Sequence, residues 1–354
     1  MVNGGPLKLW SSMDLRPQRP GAHRARGYYA GPAPGKPGMG GILMNYGYGH
    51  KLFILAFDHR GSFQKKWFGL EGEPTEEDTR RISDAKHLVF EGLLHALEEG
   101  ATADSTGALV DEQFGVPTSI PSEAKERGLK LAMPVEKSGQ NEFDFEYGDE
   151  FGAHIEAFDP DFSKVLVRYN PDDPDVDMNR RQLDRLKRLS DWLHEHDRKF
   201  LFELLVPATD DQLAREDGDT DRYDAELRPE LMRRAIEDIQ GAGIEVDIWK
   251  IEGVDERSDA EMLAEQTRAG GRDRVTCVLL GRGASDEKVD HWLSQAAPVD
   301  GFIGFAIGRS IWGGPLKAFL DGSVDRDVAA REIGGNYLRF INVYDDSEAA
   351  VAGR

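Results

Sequence analysis

Short apolar, β-branched runs alternate with longer amphipathic stretches from about residue 50 onward, and Gly, Pro, Asn or Asp turn signals follow each run. Eight such runs stand at 52–57, 107–111, 131–135, 165–169, 200–206, 247–251, 275–280 and 302–307. The stretches between them read as helices. In the first, Thr75 precedes Glu76, Glu77 and Asp78, which is a cap followed by acids at the positive end of a helix. Ile82, Ala85, Val89 and Leu93 then fall on one face. Eight strand-helix units in about 290 residues predict an α/β fold, a single (β/α)8 TIM barrel over 51–345. A doubly wound open sheet is the alternative reading.

Residues 1–50 break the pattern. They hold Lys8, Arg16, Arg19, Arg24, Arg26 and Lys36 against the single acid Asp14, together with 17 Gly and Pro residues. Such a composition buries too little apolar surface to offset the ordering of the chain, so it predicts a basic, disordered N-terminal tail. The Gly-Pro runs break the amphipathic helix that a transit peptide needs. The expectation is instead an upstream start artefact, with the natural chain opening at Met44.

Over the whole chain, 44 Lys and Arg stand against 65 Asp and Glu, a formal charge of −21 that excludes a general nucleic-acid binder. With the basic tail set aside, the remainder is more acidic still. No apolar run approaches the roughly 18 residues of a membrane span, so no membrane partner is expected. The lone Cys277 can neither form an internal disulfide nor build a zinc site by itself. A soluble cytoplasmic protein follows as the expectation, with self-association left open.

In a barrel of this kind, active groups come from the C-terminal ends of the strands. Strand one ends in Asp58, His59 and Arg60, strand two in Asp111 and Glu112, and strand three in Glu136 and Lys137. Lys164 and Arg168 belong to strand four, Glu203 to strand five and Lys250 to strand six. An ion inside a barrel costs several kcal/mol unless paired, so charges on successive strands predict an organised polar site. Lys250 is flanked by Ile248, Trp249 and Ile251, which predicts a partly desolvated amine. Burial and a neighbouring cation both favour the neutral amine, and a neutral amine attacks carbonyl carbon. A lysine paired with Glu203 or Asp58 for structure alone is the plain alternative.

The constellation resembles the class I, Schiff-base aldolases, above all the barrel fused to 5-dehydro-2-deoxygluconokinases of inositol catabolism, with tagatose-1,6-bisphosphate aldolases as relatives. The resemblance runs from about Leu52 to about Trp312. Asp58 in Phe-Asp-His-Arg-Gly-Ser matches the family's strand-one carboxylate beside the reacting hydroxyl. Lys164 matches the strand-four lysine, Glu203 the acid-base glutamate and Lys250 the Schiff-base lysine. The resemblance implies a lyase that cleaves a phosphorylated keto sugar or keto sugar acid without metal or organic cofactor. Lys164 would also help depress the Lys250 pKa. After strands seven and eight, Gly281, Arg282, Gly283, Gly308 and Arg309 fit the usual phosphate-binding loops of such barrels. The first of these turns departs from the related aldolases, where a serine is expected near Gly281.

Lys137 is either a substrate-facing cation or a solvated rim lysine, and Arg168 shares strand parity with Lys164. Asp111 reads as loop-orienting or chemical, and His59, one residue after Asp58, points by strand parity to the other face and reads as structural. His194 and His196 are too close along a helix to share a face, so no metal site is expected there. The acidic run 210–224 reads as a solvated loop and helix start able to order over the substrate. Two other functions compete. A sugar-phosphate sensor would not require an imine-forming lysine, and a metal-dependent lyase or isomerase would need His, Asp or Glu clusters at strand ends.

Overall fold

The computed structural model describes residues 46–352. Eight parallel strands follow one another around a closed barrel: β1 (Leu52–Ala56), β2 (Thr106–Leu109), β3 (Lys130–Pro134), β4 (Phe162–Arg168), β5 (Lys199–Leu205), β6 (Ile248–Glu252), β7 (Thr276–Leu280) and β8 (Phe302–Ile307). Closure is made by β1 against β8, with Leu52 in register with Gly304 and Leu55 with Ile307. That pairing excludes the open doubly wound sheet. The expected strands are all present, and the largest difference is β4, which begins at Phe162 instead of 165.

The helices lie where the amphipathic stretches placed them. Helix Glu76–Glu98 opens with a reciprocal cap, in which the Asp78 N–H donates to Thr75 Oγ1 at 3.1 Å and the Thr75 N–H donates to Asp78 Oδ2 at 3.2 Å. Its buried face carries Ile82, Ala85, Val89 and Leu93 as the spacing predicts, but Lys86 is also fully buried there. Lys86 is ion-paired with the equally buried Asp111, whose carboxylate also accepts from the Phe114 N–H at 2.9 Å. Asp111 thus shapes the loop after β2.

Side chains alternate along each strand, so every second residue points into the barrel. The lower interior is a dry plug of Leu52, Ile54, Phe162, Leu201, Ile248 and Val278, all buried. Farther along come Lys164, Glu203 and Lys250 in the same phases, with Asp58 just past the end of β1. The change from apolar to charged inward residues is therefore what separates the stabilising floor from the site above it.

Both domain limits move. Residues 46–50, assigned to the tail by composition, close the bottom of the barrel: the Gly47 N–H donates to Asp247 at 2.7 Å, and Tyr48 meets Phe162 edge-on at 5.1 Å. The remainder of the expected tail, with the Met44 start, lies outside the described residues. At the other end, helix Arg326–Ala352 continues past the expected limit of 345. Its Tyr337 hydroxyl donates to the Phe53 carbonyl at 2.7 Å and its Tyr344 hydroxyl to Phe302 at 2.9 Å. No helix among the described residues is long and apolar enough to cross a membrane.

The terminal helix packs against helix Glu76–Glu98 at Gly92, where an added Cβ would lie 2.4 Å from Ile333 Cγ2 and 3.1 Å from the Ala330 carbonyl oxygen. Alanine is favoured over glycine in a helix interior by about 1 kcal/mol, yet overpacking costs roughly 1–3 kcal/mol. Packing should win: Gly92→Ala is expected to lower stability in urea unfolding, and a rise would show that the two helices separate easily.

Candidate active site

The charged inward residues surround a cavity of about 580 Å³ at the C-terminal end of the barrel. On its floor, Lys164 Nζ lies 2.8 Å from Asp58 Oδ2, 2.8 Å from Glu136 Oε1 and 3.0 Å from Glu203 Oε2. The same Glu203 oxygen lies 3.0 Å from Lys250 Nζ. The five side chains come from β4, β5, β6 and the residues just past β1 and β3, and each is less than one-tenth exposed. Glu203 and Lys250 are direct neighbours in the β5–β6 register, which fixes their contact. The four catalytic residues expected from the sequence therefore meet in one place, and Glu136 joins them.

The electrostatics follow from crowding three acids and two amines into a buried space. Burial alone raises the carboxyl pKa of Asp58, but Lys164, His59 and Lys250 outweigh it and hold Asp58 well below the usual carboxylate range. Burial likewise opposes ionisation of Glu203, and Lys164 and Lys250 reverse it to a lowered value. For Glu136 burial prevails over Lys164 and Arg60, and its pKa is raised. Burial disfavours the Lys164 ammonium, yet Asp58, Glu136 and Glu203 together raise its pKa. Lys164 is thus a cation balanced by carboxylates. Glu203 Oε2 bridges the two amines.

His59 lines the same cavity, with its ring edge-on to Trp312 at 5.8 Å and its Nδ1 buried without a partner among the described residues. Burial, with Lys250 and Arg309 nearby, pushes its pKa down to about 4. It is neutral at pH 7 and faces the site, whereas strand parity placed it on the far side.

The expected phosphate residues come together across the turns after β7 and β8. Gly283 has φ +73°, and a Cβ there would lie 2.9 Å from Arg309 Nη2, so glycine lets the guanidinium lie over the turn. Arg309 Nη2 donates to the Arg282 carbonyl at 3.0 Å. At Gly308 a Cβ would sit 2.4 Å from the Ala56 carbonyl oxygen, and at Gly281 it would press on Ile307 at 3.2 Å. Helix Arg309–Leu320 starts here with no side-chain cap, and Gly308 and Arg309 at its start line the cavity.

Arg282 behaves differently from the expectation. Its guanidinium is held 2.9 Å from Glu252 Oε1 and paired with Asp224, so its charge is largely spent within the protein. Glu252, two residues past Lys250, is buried; it accepts from Arg228 at 3.1 Å and from the Val206 N–H at 3.0 Å. The acidic run 210–224 is folded into short helices, and its Tyr223 hydroxyl donates to the Val206 carbonyl at 2.8 Å. Tyr223 and Asp224 form part of the cavity wall. On the opposite rim, Lys137 is exposed and Arg168 donates to the Gln140 carbonyl at 2.9 Å. Among the described residues, Lys137, Arg168 and Arg309 have no carboxylate within ion-pair distance, and all three line the mouth.

His194 lies at the barrel bottom, 3.1 Å from Asp247, and His196 stacks on Trp192. Among the described residues no group of His, Cys, Asp or Glu is arranged to hold a metal ion. Glu252 is the site residue that the sequence reading did not name, and Glu136 was named there only as a strand-end charge without a role. The signal was inward parity: each stands two positions beyond an inward residue, Pro134 and Lys250.

The fold is a closed (β/α)8 barrel with a polar cavity at the C-terminal ends of its strands. In fold the chain is similar to the fructose-bisphosphate aldolase of Plasmodium falciparum, solved in complex with TRAP and a small-molecule inhibitor, with a TM-score of 0.60 and 13% identity over 82% of this chain and 89% of that one. A protein of Corynebacterium glutamicum (Brevibacterium flavum) aligns with a TM-score of 0.48 and 17% identity over 81% of this chain and 86% of that one. Residues 46–348 match the family described as "Uncharacterized protein conserved in bacteria (DUF2090)", and the chain belongs to that family. No curated protein matches it.

The His59 environment sets a pH dependence. An unfolded chain binds a proton at His59 near pH 6.5, which the folded site refuses until about pH 4. The unfolded state holds more protons in that window, so stability falls as pH falls through it, by at most about 3 kcal/mol. Urea midpoints measured from pH 7 to pH 4 should fall more steeply for the wild type than for His59→Gln; parallel curves would show that His59 takes up its proton freely.

Proposed function

We propose that the barrel mouth performs class I aldol cleavage of a phosphorylated keto sugar or keto sugar acid. The observation that carries this reading is the single Glu203 oxygen 3.0 Å from both Lys250 Nζ and Lys164 Nζ, on the floor of a cavity lined also by Lys137, Arg168 and Arg309. An amine attacks a ketone carbon only after losing a proton, and Glu203 stands at hydrogen-bond distance to take it. The resulting carbinolamine loses its hydroxyl as water, with the proton for the departing oxygen returned from Glu203. The protonated imine on Lys250 then draws electrons from the neighbouring carbon-carbon bond. That bond breaks as the hydroxyl on its far carbon gives its proton to a carboxylate and becomes an aldehyde, while the electron pair forms an enamine. Protonation of the enamine carbon and addition of water release the ketone and restore Lys250.

The other residues bind and orient. Asp58, tied to Lys164 at 2.8 Å, matches the carboxylate that lies beside the reacting hydroxyl in the aldolases the sequence resembles. Arg309, the turns at Gly281, Gly283 and Gly308 and the start of helix Arg309–Leu320 would receive the phosphate. Arg282 would hold the turn in place through Glu252 and Asp224. Lys137 and Arg168 suit an anionic group at the substrate's other end. The particular substrate we propose is 2-deoxy-5-keto-D-gluconate 6-phosphate, cleaved to dihydroxyacetone phosphate and malonic semialdehyde. It carries a phosphate at one end and a carboxylate at the other, and the resemblance to the kinase-fused barrels supports it. Tagatose 1,6-bisphosphate has anions at both ends and is the competing substrate.

Incubation with dihydroxyacetone phosphate followed by borohydride should leave a covalent adduct on Lys250, located by peptide mass, and none on a Lys250→Met variant. No adduct on the wild type, with cleavage abolished by a chelator, would replace the Schiff base with metal-assisted chemistry.

A further inference from the structure

Three carboxylates share Lys164, and they are not equivalent. Glu203 places one oxygen against both Lys164 and Lys250 and so is committed to the imine steps. Asp58 gives Oδ2 to Lys164 at 2.8 Å and is held strongly ionised by the cations around it. Glu136 gives Oε1 to Lys164 at 2.8 Å, while its Oε2 is buried and has no hydrogen-bond partner among the described residues. Arg60 reaches Oε1 only at 3.6 Å. A buried carboxylate oxygen left without a donor is costly, by about 1–3 kcal/mol. A substrate hydroxyl entering the cavity would remove that cost.

The position of Glu136 is fixed from outside the site. Arg60 Nη2 donates to the Glu136 carbonyl at 2.7 Å, and Arg60 Nη1 pairs with Glu146 at 2.9 Å. Glu136 also bridges Phe145 in a short antiparallel contact, and the Glu146 N–H donates to the Val135 carbonyl at 3.0 Å. The carboxylate is therefore aimed into the cavity by a braced segment.

We propose that Glu136, and not Asp58, is the catalytic residue that takes the hydroxyl proton during bond cleavage and returns it in condensation; this rests on the Schiff-base reading above. The hydroxyl O–H bond breaks toward Glu136 Oε2, the carbon-oxygen double bond of the aldehyde forms, and the carbon-carbon pair moves into the enamine on Lys250. No electrons are gained or lost overall. Burial makes Glu136 the strongest proton acceptor of the three carboxylates, and acceptor strength governs a general base. Asp58 instead orients the hydroxyl through Lys164.

Glu136→Gln keeps an oxygen for Lys164 but cannot accept the proton. Its kcat for cleavage of 2-deoxy-5-keto-D-gluconate 6-phosphate, or of tagatose 1,6-bisphosphate if that is the ketose the wild type cleaves, should fall about a hundredfold or more. KM should change little, and borohydride with dihydroxyacetone phosphate should still label Lys250. Added formate should restore part of the rate to Glu136→Ala. Near-normal kcat in Glu136→Gln alongside a dead Asp58→Asn would overturn the proposal and leave the Schiff base standing. Loss of labelling in Glu136→Gln, with the wild type labelled, would also overturn it by making Glu136 a support for imine formation. A wild type that is not labelled at all would remove the Schiff-base reading itself, and this assignment with it.

Discussion

Lys164 brings one positive charge into a space where Asp58, Glu136 and Glu203 bring three negative ones, and its Nζ lies within 3.0 Å of each. Without that ammonium, three buried carboxylates from different parts of the barrel would repel one another in a medium that screens poorly. With it, each carboxylate has a fixed place. Glu203 is left touching Lys250, Asp58 is kept ionised, and Glu136 retains a bare oxygen. The differing roles assigned to three chemically similar groups all trace to this shared contact.

Such a cluster needs rigid walls. The plug of Leu52, Ile54, Phe162, Leu201, Ile248 and Val278 excludes water from below, and Tyr48 closes the bottom against Phe162. Because inward positions recur every second residue, the strands that build the plug also carry the reacting groups. Stability and chemistry are divided along the strand axis. The rim is polarised as well: Arg309 and an uncapped helix start lie on the β8 side, Lys137 and Arg168 near β3 and β4. A cavity with cations at two sides and an amine at its floor suits a short molecule with anionic ends and a central carbonyl, in a chain whose overall charge is −21.

Much of this was legible in the sequence because barrels translate residue order directly into spatial order. Apolar runs located all eight strands, charges on successive strands predicted a polar site, and the resemblance to class I aldolases singled out Asp58, Lys164, Glu203 and Lys250 within it. The unread parts depend on contacts between distant loops. Arg282 looked like a free phosphate ligand, yet Asp224, 58 residues earlier, folds back onto it. Residues 46–50 looked like tail because Gly and Tyr carry no periodic signal, although they cap the barrel bottom. His59 follows Asp58 by one residue and by strand parity should face away; β1 ends at Ala56, so parity no longer applies there. Glu136 was visible as a charge at a strand end, but nothing in its neighbours indicated that it would share Lys164.

A crystal structure of the protein reduced with borohydride in the presence of dihydroxyacetone phosphate joins these elements in one observation. The account predicts continuous density from Lys250 Nζ to the central carbon of the triose, with the phosphate against Gly283 and Arg309. Density on Lys164 instead, or a phosphate seated beside Lys137 and Arg168 with Lys250 unmodified, would contradict it.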